Sequence, residues 1–143
     1  MQIERFEDIK AWQEARVLVK IIYDATKSNK NFTGDYKFRG QIHSAAVSVM
    51  SNIAEGFSRR STKEFIQFLF IAKGSVAEIQ SQLYVALDQS YINEEKFDEL
   101  YTKSDEVARL ISGFIRYLLN KDKPQEFKES SKLSEPKELK ELK

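Results

Sequence analysis

The chain has 143 residues, 41% hydrophobic and 31% charged, with a formal net charge of +1. That length and mixture suit one domain around one core, and the near-zero charge supplies no global field for drawing in polyanions. Cysteine is absent, which excludes disulfides, thiolate metal sites and thiol nucleophiles, and five glycines with two prolines argue against a turn-rich β fold.

The opening "MQIERFEDIKAW" carries charges where a signal peptide needs an apolar run. That start and the lack of cysteine predict a cytoplasmic protein. A first helix is predicted over residues 6–27, with Ile9, Trp12, Val19 and Tyr23 on one stripe and Ala15, Leu18, Ile22 and Ala25 on another. The stretch "SNKNFTGDY" then collects the residue types of a turn.

A second helix follows over residues 36–55. Phe38, Ile42, Ala45, Val49 and Asn52 step by four and three in alternation, which places Asn52 on the core seam. Gly56 is predicted as the left-handed residue that ends this helix. The third helix opens at Ser61, with Glu64 three residues later as a capping box, and extends to about Gln89. Its seam is Phe65, Leu69, Ala72, Val76, Ile79, Leu83 and Ala86.

The fourth helix is capped at Asn93 and runs to Asn120, with Phe97, Leu100, Ser104, Val107, Ile111, Phe114 and Leu118 on its seam. Four long helices joined by short loops predict an all-α, up-down-up-down antiparallel four-helix bundle over residues 1–122. Residues 123–143 contain both prolines and alternating charges. They hold too few apolar side chains to offset the entropy of ordering, which predicts a flexible charged C-terminal tail. The longest apolar run, "FLFIA" at 68–72, is far short of the roughly 18 residues a membrane span needs.

His43 is the sole histidine, so a His-based metal cluster or a Ser-His relay lacks its minimum parts unless subunits combine. No Glu-x-x-His pair projects inward as di-iron bundles need, and the glycine-containing turns lack the repeated glycines of a phosphate loop. The sequence reads as non-enzymatic, without cofactor or metal. His43, able to titrate near neutrality, reads as a surface or interface group.

Apolar residues exceed what one seam per helix needs. Ile66, Phe70, Ala77 and Tyr84 lie beside the third seam; Tyr101, Ala108 and Ile115, with Leu110 and Tyr117, lie beside the fourth. A helix of a monomeric bundle needs a stripe of about 100°, so the surplus reads either as a wide core or as self-association. Phe70, Tyr84 and Tyr101 are the candidates for assembly. Asn52 and Glu55 join them, because a polar seam residue can set register and oligomer choice.

Charge is unevenly placed. Residues 27–63 hold seven basic side chains and two acids, whereas residues 88–106 hold seven acids and two lysines. Arg59, Arg60 and Lys63, with Lys37 and Arg39, are the candidates for binding nucleic acid, each neutralised phosphate adding salt-sensitive affinity. The plainer alternative is a solvated charged face.

"FEDIKAWQEA" at 6–15, "QIHSAAVSVMSNIAEGFSRRSTKEFIQFLFIAKGSVAEIQSQL" at 41–83 and the following "LDQSYI" resemble the bacterial four-helix-bundle family of 23S ribosomal RNA intervening-sequence proteins. The accessory proteins of diversity-generating retroelements are similar. The resemblance covers residues 4–120, and "SNIAEGFSRRSTKEF" is its most specific part. It implies a ring-like homopentamer and, in the retroelement relatives, a basic surface that binds nucleic acid and a reverse transcriptase. Two features depart from the family pattern: His43-Ser44 replace a basic pair, and Met50 replaces a proline before "SNIAEG". Losing the proline predicts a straighter second helix. Two readings stay open: a homo-oligomeric bundle that binds RNA or DNA through its basic surface, and a protein–protein adaptor or structural oligomer that does not.

Overall fold

The computed structural model describes residues 2–121 and 133–134. Four long α-helices carry almost all of it: α1 (Lys10–Lys27), α3 (Tyr36–Phe57), α4 (Thr62–Asp88) and α5 (Glu94–Lys121). A 3-10 turn at Phe6–Asp8 precedes α1, and a five-residue helix, α2 (Lys30–Gly34), stands between α1 and α3. β1 (Gln2–Ile3) pairs antiparallel with β2 (Leu133–Ser134), Gln2 opposite Ser134 and Ile3 opposite Leu133. The described chain is all-α apart from this two-residue pairing. The rest of the predicted tail, 123–143, lies outside the described residues.

Helical periodicity accounts for what is buried, because residues three and four apart share a face. Every residue of the predicted α4 seam, Phe65 through Ala86, is buried. On α5 the seam from Leu100 to Leu118 is buried, with Phe97 half-buried at its start. Leu110 and Ile115, placed by the sequence on a second stripe, are buried as well. The reason is that α5 packs against both α1 and α4, so it buries more than one row. α1 also packs on α3, and α3 on α4. Of the two α1 stripes, Ala15, Leu18, Ile22 and Ala25 form the core, while Trp12, Val19 and Tyr23 are half-buried beside it.

Three local expectations are corrected. The linker is not all turn: Asn29 accepts a hydrogen bond from the Phe32 amide at 2.9 Å, capping α2, and the Phe32 ring is buried. Asn52 is not on the core seam. The buried row of α3 runs Phe38, Ile42, Ala45, Val49, Ile53 and Gly56, and Asn52 is half-buried beside it.

Gly56 is not a left-handed cap. α3 continues through it to Phe57, and no glycine among the described residues has a positive φ. A Cβ at Gly56 would lie 2.8 Å from Phe68 Cβ and 2.9 Å from Phe65 Cδ1. The glycine is there because α3 and α4 come together closely. α3 is continuous through Met50.

The left-handed residue is Ser90, at φ 62, just after α4. Its amide donates to the Leu87 carbonyl at 3.0 Å and the Tyr91 amide to the Ala86 carbonyl at 2.8 Å, the pair of bonds that defines a Schellman ending. Ser61 caps α4 by accepting from the Glu64 amide at 3.1 Å, one half of the predicted box. Asn93 caps α5 likewise, accepting from the Lys96 amide at 2.8 Å.

Tyr91 fastens this turn to α2 and the start of α3. Its ring stacks on Phe32 with centroids 5.1 Å apart, and its phenol donates to Asp35 Oδ2 at 2.7 Å. Asp35 Oδ1 meanwhile accepts the Phe38 amide at 3.2 Å and caps α3. The bond to Asp35, together with burial, holds the Tyr91 phenol above its usual pKa range. A second fastening joins α1 to α5. Lys103 bonds Glu14 across the helices and Glu106 on its own at 3.2 Å, while Lys10 bonds Glu14 at 3.1 Å.

Candidate nucleic-acid interface and assembly face

Arg59, Arg60 and Lys63 stand together at the turn between α3 and α4, where the helix end and the next cap leave them exposed. Arg59, just past the end of α3, is already engaged: its guanidinium pairs with Glu55 of α3 at 2.8 Å and lies 4.7 Å over the Phe68 ring of α4. Glu55 therefore serves Arg59 and does not reach a neighbouring helix. Arg60 and Lys63 make no ion pair among the described residues.

Lys37 and Arg39 belong to the other end of α3. At 1.5 Å of rise per residue, the 20 residues from Arg39 to Arg59 span roughly 30 Å. The five predicted cations thus form two corners and not one patch. Arg39 donates to the Thr33 carbonyl at 2.7 Å and sits 4.8 Å over the Tyr36 ring. Around it an open groove of about 1250 Å³ is lined by Lys27, Lys30, Asn31, Thr33, Tyr36 and Tyr91, among others. Tyr36 was not among the sequence candidates, although its place off the Phe38–Ile42 row was a sign that it faces solvent.

On the neighbouring side of Tyr91 a hollow of about 910 Å³ is lined by Glu94, Glu95 and Glu99 with Lys96. The basic and acidic stretches of the sequence therefore meet at one end of the molecule, with Tyr91 between them.

Of the assembly candidates, Phe70 and Tyr84 are exposed on α4, and Ile71 and Val85 are exposed with them. Tyr84 also touches Phe97 and Tyr101, with centroids 4.9 and 6.1 Å away. Tyr101 is half-buried and packs on Phe97, so it supports this aromatic row from beneath. The Asn52 side chain donates to the Ser48 carbonyl at 2.8 Å and to Ser48 Oγ at 2.9 Å; Ser48 Oγ in turn bonds Ser75 Oγ of α4 at 2.9 Å. Asn52 thus feeds a hydroxyl bridge between α3 and α4.

His43 is not a free surface group. Thr26 spends its hydroxyl proton on the Ile22 carbonyl at 3.0 Å, so its oxygen must accept from His43 Nε2 at 2.9 Å. That assigns the imidazole proton to Nε2. The ring stacks on Tyr23 with centroids 3.8 Å apart, and burial, then the Arg39 charge, lowers its pKa. Among the described residues no group of three or more His, Asp or Glu side chains is placed to hold a metal ion, and no helix is long and apolar enough to cross a membrane.

The chain is similar in fold to a protein of unknown function from the S23 ribosomal protein family of Bacteroides thetaiotaomicron. The TM-score is 0.69 at 23% identity, covering 74% of this chain and 98% of the other. No curated protein matches the sequence. The profile of the 23S rRNA-intervening sequence protein matches residues 7–113, a span that takes in α1 through most of α5 and both basic corners. The chain belongs to the 23S rRNA intervening-sequence protein family.

Proposed function

We propose that this protein is a non-catalytic, cytoplasmic, self-assembling up-down-up-down four-helix bundle that binds nucleic acid through its basic corners. The observation that carries the reading is the exposure on α4 of two large apolar pairs, Phe70–Ile71 and Tyr84–Val85, about 21 Å apart along the helix. Large apolar side chains grouped on one helix mark an association surface. The partner is a second copy of the chain: repeated head-to-tail contacts close a ring when the rotation fits, and five copies is the number the family resemblance implies. Exposed cations without an acidic partner among the described residues (Lys27, Lys30, Lys37, Arg60 and Lys63) support contact with phosphates.

Light scattering should give the mass of several subunits, and Phe70→Glu with Tyr84→Glu should reduce it to one. An unchanged mass would remove α4 as the joining face. Titration with RNA and with duplex DNA at two salt concentrations tests the second half of the reading, with affinity expected to fall steeply as salt rises. A second reading, favoured by the same α4 side chains, is an adaptor that docks another protein. A reverse transcriptase is the partner that the likeness to retroelement accessory proteins implies. Absence of nucleic-acid binding at low salt would favour it.

A further inference from the structure

We propose that the groove at the α1–α2–α3 corner is a single-stranded nucleic-acid site in which Tyr36 stacks a base. The inference rests on the nucleic-acid reading above and moves its centre from Arg59 and Arg60 to the opposite end of α3.

Three observations carry it. Tyr36 is 73% exposed, the most exposed large hydrophobic side chain among the described residues. A tyrosine so placed gains nothing from the core, and no other aromatic ring packs on it among the described residues. Arg39 lies over one face of the ring at 4.8 Å and is held there by its bond to the Thr33 carbonyl. A base on the open face would complete a base–tyrosine–guanidinium stack, in which the cation also strengthens the ring's attraction.

The groove beside the ring supplies the backbone contacts. Lys27 and Lys30 line it and Lys37 adjoins Tyr36, all exposed and without an ion pair among the described residues. Arg59, by contrast, is already committed to Glu55. Asn31 and Gln89 add side-chain amides able to donate and accept. Asp35 is the acidic group in the lining, and its oxygens are occupied by the Phe38 amide and the Tyr91 phenol.

Polarity sets the limits of the site. Beyond Tyr91 the surface turns acidic with Glu94, Glu95 and Glu99, which repels a phosphate chain and confines it to the lysine side. A stacking ring reaches a base only when that base is unpaired, so the ligand is single-stranded.

The test is a fluorescence-anisotropy titration of the full chain at low salt. The probes are a labelled oligouridylate of about 12 nucleotides and an RNA duplex of the same length. Wild type is expected to prefer the single strand. Tyr36→Ala should weaken its binding by roughly 5- to 100-fold, with Tyr36→Phe restoring most of the loss. Lys27→Ala with Lys30→Ala should flatten the salt dependence by about 0.7 per lysine lost. Because Tyr36 is exposed, melting curves of these variants should match wild type. If Tyr36→Ala binds like wild type while Arg59→Glu with Arg60→Glu abolishes binding, the inference falls and the proposed function stands. If wild type binds neither probe, the inference falls, and the nucleic-acid half of the proposed function falls with it if duplex DNA is not bound either.

Discussion

Ser90 and Gly56 exchange the parts that their residue types suggest. At φ 62 a side chain costs Ser90 roughly 1–2 kcal/mol of backbone strain. Ser90→Gly is expected to raise stability by roughly 0.5–1 kcal/mol, part of the relief being offset by glycine's greater freedom when unfolded. A thermal melt that does not move upward would show that the Schellman hydrogen bonds already absorb the strain. Gly56→Ala should go the other way. Alanine is the better helix former by about 1 kcal/mol, yet the added Cβ meets Phe68 Cβ at 2.8 Å, and overpacking of this kind costs roughly 1–3 kcal/mol. Gly40→Ala, where a Cβ meets nothing within 4 Å, is the control and should stabilise. Equal melting temperatures for the two alanine variants would count against the close α3–α4 approach. A glycine after an apolar row is legible in sequence as punctuation. That it makes room for a neighbouring helix is not, because nothing local encodes which backbone arrives there.

Between elements, the fastening of α1 to α5 responds to pH. Burial raises the Glu14 pKa, but hydrogen bonds from Lys103 and Lys10 outweigh it and the net shift is downward. Burial lowers Lys103, and Glu14 with Glu106 outweigh that in turn, so its pKa is raised. A carboxylate with a depressed folded pKa contributes stability above its unfolded value, near 4.5, and loses it as pH falls through the folded value. Denaturant melts from pH 7 down to pH 3 should show wild type losing stability in that window, and Glu14→Gln losing less of it. At pH 7, Lys103→Met should cost roughly 1–2 kcal/mol, between exposed and buried ion pairs. Parallel pH curves for wild type and Glu14→Gln would place the acid sensitivity elsewhere. The long helices were legible because their apolar rows repeat for many turns. Asn52 was misplaced because a straight helix at 3.6 residues per turn drifts from alternating steps of four and three. After Val49 the buried row takes a second step of four, to Ile53. α2 was missed because five residues carry too little periodicity to distinguish a helix from a turn.

For the whole molecule, the proposed self-association through α4 is expected to be independent of the C-terminal segment. Truncation after Lys121 removes β2, and with it the two-residue pairing to Gln2–Ile3, but leaves Phe70, Ile71, Tyr84 and Val85 of α4 intact. Light scattering on the truncated chain should give the same subunit count as the full chain, and a fall to monomers would assign assembly to the C-terminal segment. The candidate site was legible in part. The excess of basic residues over 27–63 is plain in the sequence, yet α3 carries its two halves to opposite ends. Tyr36 lies off the Phe38–Ile42 row, so its exposure was legible, but that Arg39 and a lysine-lined groove stand beside it depends on how α1, α2 and α3 meet.

The single histidine turns the α1–α3 contact into a spectroscopic probe that needs no assignment. With its proton on Nε2 and donated to Thr26, His43 should give one slowly exchanging ring N–H proton signal, low in field. Its carbon-bound ring protons should be shifted upfield by the Tyr23 ring stacked 3.8 Å away. Thr26→Val would let the N–H signal exchange away while the ring-current shift persists, and Tyr23→Ala would do the reverse. Parting of α1 from α3 would erase both signals together, so the opening of one helix pair can be followed in the intact protein, residue-specifically and without a label.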